Sequence, residues 1–202
     1  MGDDKRIAQA ARVSTGNDDS ERPHEGLVRR LWADKHTSPF EHCALTVRVE
    51  IPKRVVWEWE RHRTQSYSEL STRYAVMEPA FYLPPEERPL AQQGKPMDYR
   101  REHVTQGVRD GFLARRTDHA RHAHSLYMED IRAGIALELA ADHLPPYMYT
   151  RFYATANLLN WFRFLSLRTD PTALWEIRDA AHQVEAIVHE HWPVAWSAFA
   201  EK

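Results

Sequence analysis

The feature that most constrains the fold is a two-residue alternation between Cys43 and Ile51. Cys43, Leu45, Val47, Val49 and Ile51 are apolar, while Thr46, Arg48 and Glu50 between them are polar. A period of two puts each set on its own face of an extended strand, and a slip of one residue would turn the apolar set to water. The pattern predicts a strand with one buried face, ended by Pro52. That face needs a cover, and the remaining chain offers mainly helices. Helical patterns run over residues 3–13, 20–34 with Ser20 as N-cap, 53–62, 98–143 with Gly134 as a break, 157–168 and 172–191. In the last of these, Leu174, Ile177, Ala181, Val184 and Val188 recur at helical spacing. Two shorter strands are expected at 73–83 and 147–155, and Pro84, Pro85, Pro89 and Pro96 mark a linker. The polar stretch through Thr72 has too little apolar content to be core. Strands scattered among helices without regular alternation predict an α+β fold, in a single domain over residues 1–202.

Charge and composition narrow the function. A net charge of −2 provides no global positive field to hold nucleic acid. No apolar run approaches the roughly 20 residues that span a bilayer, and the acidic start lacks the pattern of a signal peptide. A soluble, cytoplasmic protein with neither nucleic-acid nor membrane partner is expected. Cys43 stands alone, so no internal disulfide can form, and its place on the apolar face predicts a buried structural thiol rather than a nucleophile. Lysine occurs only at 5, 35, 53, 95 and 202, so arginine makes up most of the 27 basic residues. Its planar fork suits phosphate and carboxylate.

The densest chemical constellation is Arg61-His62-Arg63-Thr64-Gln65-Ser66-Tyr67-Ser68-Glu69-Leu70-Ser71-Thr72-Arg73-Tyr74. Three potentially cationic groups, then hydroxyls, a carboxylate and a further arginine can hold two separate phosphates. Elsewhere stand Ala11-Arg12-Val13-Ser14, His36-Thr37-Ser38-Pro39-Phe40-Glu41-His42, Leu144-Pro145, Tyr149-Thr150-Arg151-Phe152, Asn157, Phe164-Leu165-x-Leu167-Arg168 and Ala173-x-Trp175-Glu176-Ile177. In this order and spacing the motifs resemble the flavin-dependent thymidylate synthases over residues 11 to about 180.

The resemblance implies a mixed or antiparallel sheet flanked by long helices, in a homotetramer with FAD at subunit interfaces. It also implies methylenetetrahydrofolate as carbon donor, NADPH as reductant and dUMP as substrate. By the same resemblance Arg61, His62 and Arg63 hold the FAD phosphates and adenine end, helped by Ser14, Ser38 and Glu41, with His36 near the flavin and folate. Ser68, Asn157 and Arg163 complete the cofactor set. Ser71 and Arg73 grip the nucleotide phosphate beside Glu69, and Arg168 bonds the uracil ring, so Ser71 and Arg168 are the catalytic candidates. The chain lacks G-x-G-x-x-G and P-loop motifs, which fits phosphate binding by side chains.

Several positions depart from the family pattern. Ser68 replaces an asparagine, Glu58 a glutamine on the substrate side, Ala141 an arginine before Leu144-Pro145, Leu159 another arginine and Arg163 an asparagine. The shortened side chain at Ala141 creates room in the nucleotide pocket, and some family members from nucleoside-antibiotic pathways accept UMP with its 2'-hydroxyl. Methylation of UMP alongside dUMP is therefore the expectation to test. Alternatives are a degenerate member that keeps FAD without methylating, and a nucleic-acid-binding module built on arginines and aromatics. His119 and His122 share a helical face, but neighbouring arginines disfavour a metal there, and none is expected. Trp57, Trp59, Trp161 and Trp175 read as packing or interface residues.

Overall fold

The alternating segment forms β1 (Ala44–Pro52) in the computed structural model, which describes residues 1–18, 21–95 and 98–201. Val47, Val49 and Ile51 are buried, and Thr46, Arg48 and Glu50 are exposed or partly so, as the alternation requires. Pro52 is the last residue of the strand rather than its stop, a place open to proline on an edge strand. The three-stranded sheet has the order β1-β5-β2, with β5 (Tyr149–Asn157) central and β2 (Ser66–Glu69) at the other edge. The chain is thus mixed α and β, as expected, and packs as two units.

The first unit comprises Met1–Val49, Trp59–Ser68 and Tyr153–Lys202. Its helices are α1 (Asp4–Arg12), α2 (Glu25–Ala33), α6 (Leu158–Arg168), α7 (Trp175–His191) and α8 (Pro193–Ala200). Asp3 caps α1 by accepting the Arg6 N–H, and Asn157 caps α6 by accepting the Asn160 N–H at 2.9 Å. Buried Asp4 takes the backbone N–H groups of Val194 and Ala195, both at 2.9 Å, at the open N-terminus of α8. Burial still dominates its ionisation and pushes the carboxyl up. The interior is aromatic. Trp32 meets Phe40, Phe162 and Phe199 edge-on, and Phe162 stacks on Phe199 with centroids 4.5 Å apart.

The second unit comprises Glu50–Glu58 and Glu69–Phe152. It contains α3 (Lys53–Trp59) up to Glu58, the hairpin β3 (Ala91–Lys95) and β4 (Asp98–Glu102), the long α4 (Gln106–Arg132) and the short α5 (Leu137–Ala140). Gly134, at φ 86°, ends α4 in the left-handed conformation that only glycine adopts freely. Met77, Tyr127, Ala140 and Met148 form a buried cluster, and the Tyr127 hydroxyl accepts the Met77 N–H at 2.9 Å. The proline linker is tied to α4 by buried Arg109, which donates to the carbonyls of Pro84 at 2.7 Å and Pro85 at 2.6 Å.

Several expectations are corrected. Residues 73–83 form no strand, only a single bridge from Phe81 to Met148. The polar stretch before Thr72 contains β2 and the buried Gln65. The segment from Asp98 opens as β4, paired antiparallel to β3 with Ala91 opposite Glu102, and turns helical only at Gln106. Helix α3 stops at Trp59, so Arg61, His62 and Arg63 lie in the following turn. The second helix starts at Glu25, and the expected cap Ser20, like Pro96 of the linker, lies outside the described residues. Among the described residues no helix is long and apolar enough to cross a membrane.

Candidate functional site

The chain leaves β2 with the Leu70 N–H bonded to the Arg151 carbonyl at 2.9 Å, then turns at once. The Ser71 carbonyl accepts from the N–H groups of Tyr74 and Ala75, and the Ser71 hydroxyl accepts from the Arg73 N–H at 3.2 Å. This turn sets Ser71 and Arg73 side by side on the wall of a cleft in the second unit, of about 670 Å³. Such a volume falls in the range of small-molecule sites, about 300–1,000 Å³. Lys53 and Trp57 of α3 and the segment from Glu138 to Pro146 supply other walls.

Two ion pairs organise the cleft. Lys53 Nζ donates to both oxygens of Glu69, at 2.8 and 2.6 Å, and the Thr150 hydroxyl adds a third bond to Glu69 at 2.9 Å. Arg73 Nε donates to Glu138 Oε2 at 2.9 Å. Asp142 lines the same cleft, so two cations face three carboxylates. Ala141 contributes only a methyl group to the wall.

A second arrangement lies in the first unit, in the turn after α3. The His62 carbonyl accepts from the Gln65 N–H at 3.1 Å and from the Tyr67 hydroxyl at 2.8 Å. Burial, with the negative charge of Glu60, pushes the Tyr67 phenol up to about 12. Buried Gln65 accepts the indole N–H of Trp59 at 2.9 Å. Arg61 and Arg63 are exposed on this well-anchored turn. Arg168 Nε donates to His62 Nε2 at 2.9 Å, so that nitrogen must be the acceptor and the neutral ring carries its proton on Nδ1. The same ring meets Phe164 edge-on at 4.8 Å.

The expected site residues thus divide between the two units. Ser14, His36, Ser38, Glu41, Arg61, His62, Arg63, Ser68, Asn157, Arg163 and Arg168 belong to the first unit, whereas Glu58, Glu69, Ser71 and Arg73 belong to the second. Exposed Arg61 and Arg63 are cations chemically suited to a diphosphate, whereas the Ser14 hydroxyl donates to the Ala11 carbonyl at 2.9 Å. Asn157 uses its Oδ1 in the capping bond, and Arg163 Nη1 donates to Asn160 at 3.0 Å. Glu69, Ser71 and Arg73 share one cleft, where Trp57 rather than Glu58 lines the wall. Trp57 is 54% exposed, unlike the fully buried Trp59 and Trp161. Lys53, Glu138 and Thr150 were not anticipated, because their partners lie 16, 65 and 81 residues away.

Cys43 is fully buried, and burial raises its thiol to about 11, consistent with the structural reading. His119 is used in packing. The Tyr147 hydroxyl donates to the Arg116 carbonyl at 3.1 Å, so His119 Nδ1 at 2.7 Å is the donor to that oxygen. Among the described residues no group of three or more His, Cys, Asp or Glu side chains could hold a metal ion.

Residues 1–194 match the family model described as thymidylate synthase complementing protein. The flavin-dependent thymidylate synthase of Thermus thermophilus is 38% identical over 204 residues, covering all of this chain and 73% of the relative. That of Ruegeria pomeroyi is 37% identical, covering 98% of this chain and 68% of the relative. Among solved structures, the UMP/dUMP methylase PolB of Streptomyces cacaoi bound with 5-Br UMP superposes with a TM-score of 0.90 at 36% identity, covering 98% of this chain and 88% of that one. The same protein bound with 5-Br dUMP gives 0.91 at 35% identity, covering 98% and 90%.

Proposed function

The chain belongs to the flavin-dependent thymidylate synthase family and is an enzyme; from that premise we propose that it methylates C5 of uridine 5'-monophosphates, both dUMP and UMP. The carbon donor is methylenetetrahydrofolate, the reductant NADPH and the cofactor FAD. The observation that carries this reading is the cleft in which Ser71 and Arg73 stand on one wall and Ala141 leaves space on another. The solved neighbours named for UMP and dUMP methylation support the choice of nucleotide.

The residues divide the work as follows. Ser71 and Arg73 hold the nucleotide phosphate, beside Glu69; Glu58, expected on the substrate side, does not line that cleft. Arg61, His62 and Arg63 hold the FAD phosphates and adenine end, with Ser14, His36, Ser38, Glu41, Ser68, Asn157 and Arg163 in the same set. Reduced FAD, when bound, supplies the reducing equivalents for the transfer. Arg168 stabilises the negative charge that develops on the uracil ring as C5 attacks the one-carbon unit. Its Nε donates to His62 Nε2 at 2.9 Å. The chain acts as a single family domain in a cytoplasmic homotetramer.

Methylation at C5 must release the C5 hydrogen. Nucleotides tritiated at C5 should lose tritium to water from both dUMP and UMP, only with folate, FAD and NADPH all present. Tritium retained in both nucleotides under those conditions contradicts the reading.

A further inference from the structure

The cleft holds its substrate-side arginine in a bond that a phosphate would have to share. Arg73 Nε donates to Glu138 Oε2 at 2.9 Å, and no other carboxylate among the described residues pairs with its guanidinium. The pair lies at the rim, with Arg73 63% and Glu138 49% exposed at the side chain. Lys53, the other cation of the cleft, is already matched to Glu69. Including Asp142, the cleft carries three carboxylates against two cations, so an arriving phosphate dianion meets an excess of negative charge.

Resting on the nucleotide-binding reading above, we propose that Glu138 is a specificity-determining residue that occupies the phosphate's place on Arg73. It keeps the arginine neutralised in the free enzyme and gives it up when a 5'-monophosphate binds. The exchange is feasible because an exposed ion pair is weak, whereas a fork-to-phosphate contact forms two charge-assisted bonds. Glu138 stands at the end of the segment that also carries Ala141. A nucleoside without phosphate does not compete for Arg73, so Glu138 sets affinity for the phosphate and not for the uracil.

The test is a calorimetric titration of the full chain, saturated with FAD, using UMP, dUMP and unphosphorylated uridine. Wild type, Glu138→Gln and Arg73→Ala are compared at low and high salt. Glu138→Gln should tighten both monophosphates about two- to fivefold, with the gain shrinking at high salt and uridine unaffected. Arg73→Ala should weaken the monophosphates. Unchanged or weaker monophosphate binding by Glu138→Gln, while Arg73→Ala still weakens it, would mean that Glu138 orients the arginine rather than competing for it, and overturns this inference alone. An equal gain for uridine overturns it as well. No monophosphate binding by wild type, or binding indifferent to Arg73→Ala, overturns the nucleotide reading and this inference together.

Discussion

Arg168 and His62, 106 residues apart in sequence, are joined by a hydrogen bond of 2.9 Å from the arginine Nε to the imidazole Nε2. The bond ties the last residue of α6 to the turn that displays Arg61 and Arg63. Arg168→Ala should lower kcat about 10²–10³-fold, the usual cost of a donor aimed at developing charge, while FAD content stays within about twofold of wild type. Steady-state kinetics with the flavin absorbance of the purified variant checks this. Normal kcat would remove Arg168 from the chemistry.

Arg61→Ala should show the opposite pattern. Loss of a charge-assisted bond to a phosphate costs about 1.5–3 kcal/mol, or roughly ten- to a hundredfold in FAD affinity. The variant should purify with little flavin, and added FAD should restore turnover. Full retention of FAD would place its phosphates elsewhere.

Ala141→Arg places a large cation in the wall beside Met77 and Leu144. It should strengthen binding of the phosphate and fill the room allotted to the 2'-hydroxyl, lowering kcat/KM for UMP relative to dUMP by about tenfold. Competition assays with both nucleotides in one reaction measure the ratio. An unchanged ratio would mean that position 141 does not read the sugar.

The strand from Ala44 was legible because one face is buried and the other wet, so period two survives in the residues themselves. β2 was hidden because its four residues are polar and none is fully buried, although β5 pairs with it. β3 and β4 expose nearly every side chain, so no burial pattern separates them from the polar start of α4. α8 lies beyond the last expected helix, 172–191, and is opened by Pro193, where the missing N–H costs nothing. For the cleft, the order of the motif showed Glu69, Ser71 and Arg73. Lys53 and Glu138 become visible only when folding brings distant carboxylates and cations together.

Cys43 carries the pH dependence most open to direct test. Burial raises its thiol from 9.0 to about 11, so the folded state favours the protonated form. The stability this contributes is fully present below pH 9 and is lost as pH rises through about 11. Native protein at pH 8 should resist a thiol-alkylating reagent that modifies the urea-unfolded chain within minutes. Rapid modification of the native protein would contradict both the burial and the raised value.

The most direct measurement of the central claim is a turnover assay of FAD-loaded protein with methylenetetrahydrofolate and NADPH, offering dUMP and UMP separately and detecting products by mass spectrometry. The account predicts a mass gain of one methylene unit on the base of both nucleotides. Product from dUMP alone would contradict the role assigned to Ala141, and no product from either nucleotide would contradict C5 methylation itself.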